Sequence, residues 1–203
     1  MQISLDALVR RSHEAGVRLA IKKRYGSMIC ISRNKIAELA INTKTTHVLF
    51  IDSDMVFDDD ALLRLLALDR DIVSGLCTMA GEPYSPVVKR LGEDGTYRPM
   101  PEVVDGRFRS DVDGVGCAFL LIKTAVFERL ECPYFAMPPY GEGVMGEDIY
   151  FCRKAKEAGY DICVDCSLEI GHIGEHIYTI QDYQDYKEAY EEQEREQGEK
   201  VTA

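Results

Sequence analysis

The sequence predicts a single α/β domain whose mixed, mainly parallel sheet is flanked by helices. Three observations lead there. The apolar runs His47-Val-Leu-Phe-Ile51 and Asp71-Ile-Val-Ser-Gly-Leu-Cys77 lack a polar face, as strands covered on both sides do. Segments with a helical apolar stripe alternate with them. The 203 residues, 46% hydrophobic and 29% charged, suffice for one such core and not for two ordinary domains.

Taken in order, residues 4–15 put Leu5, Leu8 and Val9 on one helical face and stop at Gly16. Residues 17–21, Val-Arg-Leu-Ala-Ile, read as a strand. Ser32 stands where it caps a helix running to about residue 41, with Ile36, Leu39 and Ala40 inward. Asp58 is placed to cap the helix after the first apolar run, with Leu62, Leu65 and Leu66 as its stripe. Pro83, Pro86, Pro99 and Pro101 punctuate the middle, where residues 87–91 and 96–98 around Gly92-Glu-Asp-Gly95 read as an antiparallel hairpin. Residues 112–122 form a long strand candidate broken by Gly114 and Gly116, with a short helix following to about residue 130. A Pro-rich loop at 133–146 leads to a helix from Glu147 to about Ala158, stopped by Gly159. A strand at 160–165 and Gly171-His-Ile-Gly174 come next. The domain is expected over residues 1–180, with 181–203 a charged, Tyr-rich helix or tail. A helix comes first where doubly wound domains open on a strand, so the usual first strand is expected to be absent or the sheet permuted.

Charge and cysteine usage limit the function classes. With 24 basic and 35 acidic side chains the formal charge is −11, which repels polyanions and argues against a nucleic-acid partner. Seven scattered cysteines, mostly inside apolar runs, argue for a reducing, cytoplasmic setting, and Cys163-x-x-Cys166 reads as buried small hydrophobes. No stretch approaches a transmembrane span, and the N-terminus lacks the apolar core of a signal peptide.

Asp52 and Asp54 carry the sharpest chemical signal. They follow an apolar strand at the end where open α/β sheets gather ligands, and positions i and i+2 of an extended chain face the same way. Two such carboxylates suit Mg2+ or Mn2+ held together with substrate phosphates. The same residues also fit a solvated turn. Gly146-Glu147-Asp148 opens a helix, either as simple N-terminal electrostatics or with Asp148 as a general base. His172 between glycines fits a structural histidine or a third metal ligand, with His176 competing for that role. Ser32-Arg33-Asn34 fits a capped helix start with a solvent-facing arginine, or a phosphate-receiving one.

The order of these elements resembles a GT-A glycosyltransferase of the glycosyltransferase-2-like type found in bacterial and phage genomes. The matching stretches are Ser32-Arg-Asn-Lys35, His47-Val-Leu-Phe-Ile-Asp-Ser-Asp-Met55, Gly146-Glu-Asp-Ile149 and Gly171-His-Ile-Gly174, within about residues 17–180. The resemblance implies a Rossmann-like domain that moves a sugar from a UDP- or GDP-linked donor to a hydroxyl acceptor. In it Asp52 contacts the ribose or the metal, Asp54 binds Mn2+ or Mg2+, and His172 completes the shell. Arg33 lies near the nucleotide, and Asp148 corresponds to the base of inverting members. Members normally begin with a strand and loop that hold the nucleotide base, whereas this chain starts at the following helix.

Two other readings compete. Val48-Leu-Phe-Ile-Asp-Ser-Asp-Met-Val56 also fits a HAD-like phosphohydrolase, with Asp52 as nucleophile and Asp54 as acid/base. That reading presses Thr78 and Lys89 into service and leaves His172 idle. A degenerate domain that binds metal or nucleotide without turnover is the non-enzymatic alternative.

Overall fold

The computed structural model describes residues 2–24, 26, 28–174 and 177–201; His176 lies outside them. In chain order the elements are α1 (Gln2–Glu14), α2 (Ile29–Thr43), β1 (His47–Ile51), β2 (Met55–Val56), α3 (Ala61–Ala67) and β3 (Ile72–Cys77). The middle supplies β4 (Val88–Leu91), β5 (Tyr97–Pro99), a 3-10 turn (Pro101–Asp105), β6 (Phe108–Val112), β7 (Gly114–Val115), β8 (Phe119–Lys123) and α4 (Thr124–Arg129). The last third holds β9 (Pro139–Tyr140), β10 (Gly143–Val144), α5 (Glu147–Glu157), β11 (Ile162–Ile173), β12 (Ile177–Tyr178) and α6 (Ile180–Val201).

A seven-stranded sheet with the spine β1-β8-β3-β11-β12 divides the core in two. Period-2 alternation sends successive side chains to opposite faces. Ile72 and Leu76 of β3, Leu120 and Ile122 of β8, and Ile162 and Val164 of β11 meet Ala37, Ala40, Phe127 and Phe151 from α2, α4 and α5. Val73, Phe119, Leu121 and Cys163 point the other way, toward Leu8 of α1 and Leu62 and Leu65 of α3. This is an α/β fold with helices on both faces.

The sheet is mainly antiparallel, which corrects the expected parallel majority. Of the pairings along the spine only β3 with β11 is parallel. β8 inserts antiparallel between β1 and β3, so β1, β3 and β11 still point the same way. An inserted strand buried on both faces has the same continuous apolar sequence whichever way it runs. Among the described residues β1 pairs with β8 alone.

Residues 17–24 are neither strand nor helix, although Val17 and Leu19 pack on the second core. Ser32 is not a cap: α2 starts three residues earlier, and the Ser32 N–H already bonds to Met28 O at 3.3 Å. Asp58 contributes its carbonyl to Ala61 N–H rather than a side-chain cap. The hairpin forms as expected, β4 on β5. The strand candidate at 112–122 divides into the end of β6, β7 and β8. Cys163 and Cys166 are buried free thiols. The tail is helical, and Thr179 and Asp182 cap it reciprocally: Thr179 N–H and Oγ1–H donate to Asp182 Oδ2, each at 2.6 Å, and Asp182 N–H donates to Thr179 Oγ1 at 3.4 Å. Among the described residues no helix is long and apolar enough to cross a membrane.

Candidate functional site

The carboxyl ends of β1, β3 and β11 carry Asp52, Thr78 and Gly171-His172-Ile173 in turn. The amino end of β8, preceded by Gly116 and Cys117, arrives at the same edge, and Asp52 N–H donates to Ala118 O at 3.0 Å. Ligand-binding groups of open α/β sheets gather at such an edge.

After β1 the chain turns at Ser53-Asp54 and re-enters the sheet as β2, which pairs antiparallel with the far end of β11. His172 stands opposite Met55, and Ile173 N–H donates to Asp54 O at 2.6 Å. This pairing brings His172 Nε2 to 3.1 Å from Asp54 Oδ2. The other ring nitrogen, Nδ1, lies 3.3 Å from Thr78 O. Both ring nitrogens therefore face acceptors. A neutral imidazole has one N–H and satisfies only one of them. With the proton on Nε2 the ring donates to Asp54 Oδ2; with it on Nδ1 the ring donates to Thr78 O, and the Nε2 lone pair faces the carboxylate oxygen.

Asp52 does something different, because the turn, not an extended strand, separates it from Asp54. Both of its oxygens accept from Arg33 Nη2, at 2.9 and 3.1 Å. Arg33 Nη1 donates to Glu147 Oε1, so one guanidinium ties the end of β1 to the start of α5. The Arg33 side chain is only 6% exposed, which corrects the solvent-facing alternative. Burial works against its charge, but Cys117, Asp52 and Glu147 around it outweigh that and hold it above its usual value. Burial raises the Asp52 carboxyl above the usual range; Arg33 pulls it down, and Asp54 and Glu147 push it up again.

Asp148 follows Glu147 in the first turn of α5. Its Oδ1 accepts from its neighbour Ile149 N–H at 2.7 Å. A Cβ placed on Gly116 would lie 3.9 Å from its Oδ2, so the glycine leaves room beside the carboxylate. Burial is the main cause that lifts the Asp148 carboxyl above the ordinary range, with Glu147 adding to it.

The sequence motifs thus resolve into two linked groups, Asp54 with His172 and Arg33 with Asp52 and Glu147. Glu147 is the partner that sequence reasoning missed, since its position in the first turn was already explained by the helix dipole. A buried arginine four residues into a helix had a possible signal: it falls at an inward position with Cys30, Ala37 and Ala40. Among the described residues no group of three or more His, Cys, Asp or Glu is arranged to hold a metal ion by itself. Asp54 Oδ2 and His172 Nε2 are the atoms that could contribute to holding a cation, which would need its remaining ligands from outside this pair.

No protein-family model matches the chain, and no curated protein matches it. Among solved structures the chain resembles the crystal structure of A197 from STIV, with a TM-score of 0.55 and 20% identity over 83% of this chain and 78% of that one. At that identity the likeness speaks for the α/β fold alone.

Proposed function

We propose that the chain is a metal-dependent glycosyltransferase acting on a nucleoside-diphosphate sugar and a hydroxyl acceptor. The observation that carries the reading is the contact between Asp54 and His172, which sets a carboxylate oxygen and an imidazole nitrogen, both possible metal ligands, 3.1 Å apart. We assign Mn2+ or Mg2+ to that pair. When bound, the ion neutralises charge developing on the departing nucleoside diphosphate.

The remaining roles belong to side chains of the chain itself. Arg33 occupies both Asp52 oxygens, so we assign Asp52 to orienting the donor, at the ribose, rather than to the ion. Glu147 holds the same guanidinium from α5 and thereby fixes where Asp148 stands. Asp148 takes the proton of the acceptor hydroxyl as its oxygen bonds to the anomeric carbon. The bond from that carbon to the diphosphate breaks with its electrons on the leaving group, and the configuration inverts. A carboxyl raised by burial suits a base that works nearer neutrality. A phosphohydrolase reading asks Asp52 for a free nucleophilic oxygen, and both are engaged with Arg33.

Titration calorimetry with UDP and GDP, with and without Mn2+, tests the proposal. Binding should strengthen at least tenfold with Mn2+ and fall back to the metal-free level in Asp54→Ala. Hydrolysis of a phosphomonoester through an Asp52 intermediate overturns the reading. Nucleotide binding without turnover of any sugar donor replaces it with a non-catalytic binding domain.

A further inference from the structure

Charge is laid unevenly along this chain. Residues 15–37 hold six basic side chains, Arg18, Lys22, Lys23, Arg24, Arg33 and Lys35, and no acidic one. The rest of the molecule sets 18 basic against 35 acidic residues, a formal charge of −17. Arg33 turns inward to Asp52 and Glu147, while the other five are exposed. Interleaved with them, Ile21, Met28, Ile29 and Ile31 are 51, 56, 40 and 46% exposed. A single exposed aliphatic side chain needs no explanation, but four in one short stretch with five exposed cations do.

We propose that this stretch docks the protein on the surface of an anionic lipid bilayer. Ile21, Met28 and Ile29 enter the boundary between headgroups and acyl chains, and Lys22, Arg24 and Lys35 meet the headgroup charge. Charge complementarity selects the occupant. The −17 remainder of the molecule is repelled by the same surface, which turns the basic stretch toward it. A nucleic acid would use the cations but gains nothing from aliphatic and thioether side chains held in water, since its bases want aromatic stacking and polar edges. A bilayer uses both. Docking also has a consequence for the site: Arg33 lies four residues beyond Ile29 in α2, about 6 Å along the helix axis. The edge that holds Asp52 then stands close to the membrane surface. The inference does not depend on the glycosyltransferase reading.

Co-sedimentation of the full chain with vesicles tests it, comparing pure phosphatidylcholine with phosphatidylcholine containing phosphatidylserine at about 30 mol%. The protein should pellet with the anionic vesicles, remain in solution with the neutral ones, and be released as salt is raised. Lys22→Glu with Arg24→Glu should weaken partitioning by well over tenfold, given about fivefold per basic side chain near such a surface. Ile21→Ser with Met28→Ser should weaken it several-fold at unchanged charge. These side chains are exposed, so an unchanged circular dichroism melt certifies the fold of each variant. Absence of pelleting, or equal pelleting of the charge-reversed variant, overturns the proposal. Binding to an RNA oligomer that survives Ile21→Ser and Met28→Ser, without vesicle binding, replaces the bilayer with a polyanion and overturns it too.

Discussion

His172 Nε2 lies 3.1 Å from Asp54 Oδ2 across 118 residues of sequence. The contact exists because β2 and β11 pair in a register that sets His172 opposite Met55, next to Asp54. The ring is oriented from behind by Thr78 O at 3.3 Å. If the pair holds the cation, His172→Ala should weaken Mn2+-dependent nucleotide binding by at least roughly 10-fold, since losing even a group that only supports a metal ligand costs about 10- to 100-fold. Metal-free binding should not change. The imidazole ring is 23% exposed, so a melting curve should move little. Calorimetry at a series of Mn2+ concentrations measures the first effect, and an unchanged Mn2+ dependence would remove His172 from the metal site.

Arg33 sits between two carboxylates with almost no solvent around it. Arg33→Met keeps much of the volume but leaves Asp52 and Glu147 facing each other without a counter-charge. Breaking a fully buried pair costs roughly 3–5 kcal/mol; Asp52 is 36% exposed and regains water, so the loss should lie toward the lower end of that range. Glu147→Gln leaves the guanidinium bound to Asp52 and should cost less, about 1–3 kcal/mol. A urea denaturation series on the two variants and their combination tests the order. Equal stability of Arg33→Met and the parent would mean the guanidinium does not bridge these elements.

Much of this arrangement was legible in the sequence, and the part that was not has a physical reason. The strand at 47–51, the helix at 147–157 and the hairpin at 88–99 follow from local apolar period and turn residues. Which strands run parallel does not, because β8 is as continuously apolar as β3 and local pattern carries no direction. Val17-Arg-Leu-Ala-Ile21 alternates like a strand yet pairs with no strand among the described residues, and propensity without strand pairing leaves it irregular. At the site the sequence points to Asp52, Asp54, Asp148, His172 and Arg33 and groups Asp54 with His172, but it does not give the links of Arg33 to Asp52 and Glu147. Asp54 was expected to share a face with Asp52, and the turn at Ser53 separates them. The link from Arg33 to Glu147 spans 114 residues, a distance that only the folded sheet edge closes.

Asp148 allows stability and function to be set against each other. Its folded carboxyl titrates above the ordinary value of 3.8, chiefly through burial. Between the unfolded and the raised folded value, the native state binds more protons than the unfolded one. Stability from this group is therefore full at low pH and declines as pH rises through that window. At neutral pH the buried charge is a cost, and Asp148→Asn should raise the melting temperature while removing glycosyl transfer. The variant should lose this advantage over the parent when both are melted at acidic pH. The acidic limb of kcat/KM should likewise lie above 3.8. A variant that melts lower than the parent at neutral pH would show that the carboxylate is stabilising.

Asn34, the neighbour of Arg33, separates anchoring of the 133–146 segment from chemistry at the sheet edge. Its Oδ1 accepts from Tyr134 N–H at 2.8 Å and Phe135 N–H at 3.0 Å, and its Nδ2 donates to Phe135 O at 2.8 Å. Phe135 in turn stacks on Phe151 of α5, with centroids 4.9 Å apart. Asn34→Ala leaves two backbone N–H groups and a carbonyl without these partners and should cost roughly 2–4 kcal/mol. Asn34→Asp keeps both accepted bonds, loses the donated one, and should fall between. Neither variant touches Arg33, so Mn2+-dependent nucleotide binding should survive in whatever fraction remains folded. Denaturant curves give the order, and hydrogen exchange at Tyr134 and Phe135 locates it. If Asn34→Ala leaves those two amides as protected as in the parent, the side chain is not what holds the segment.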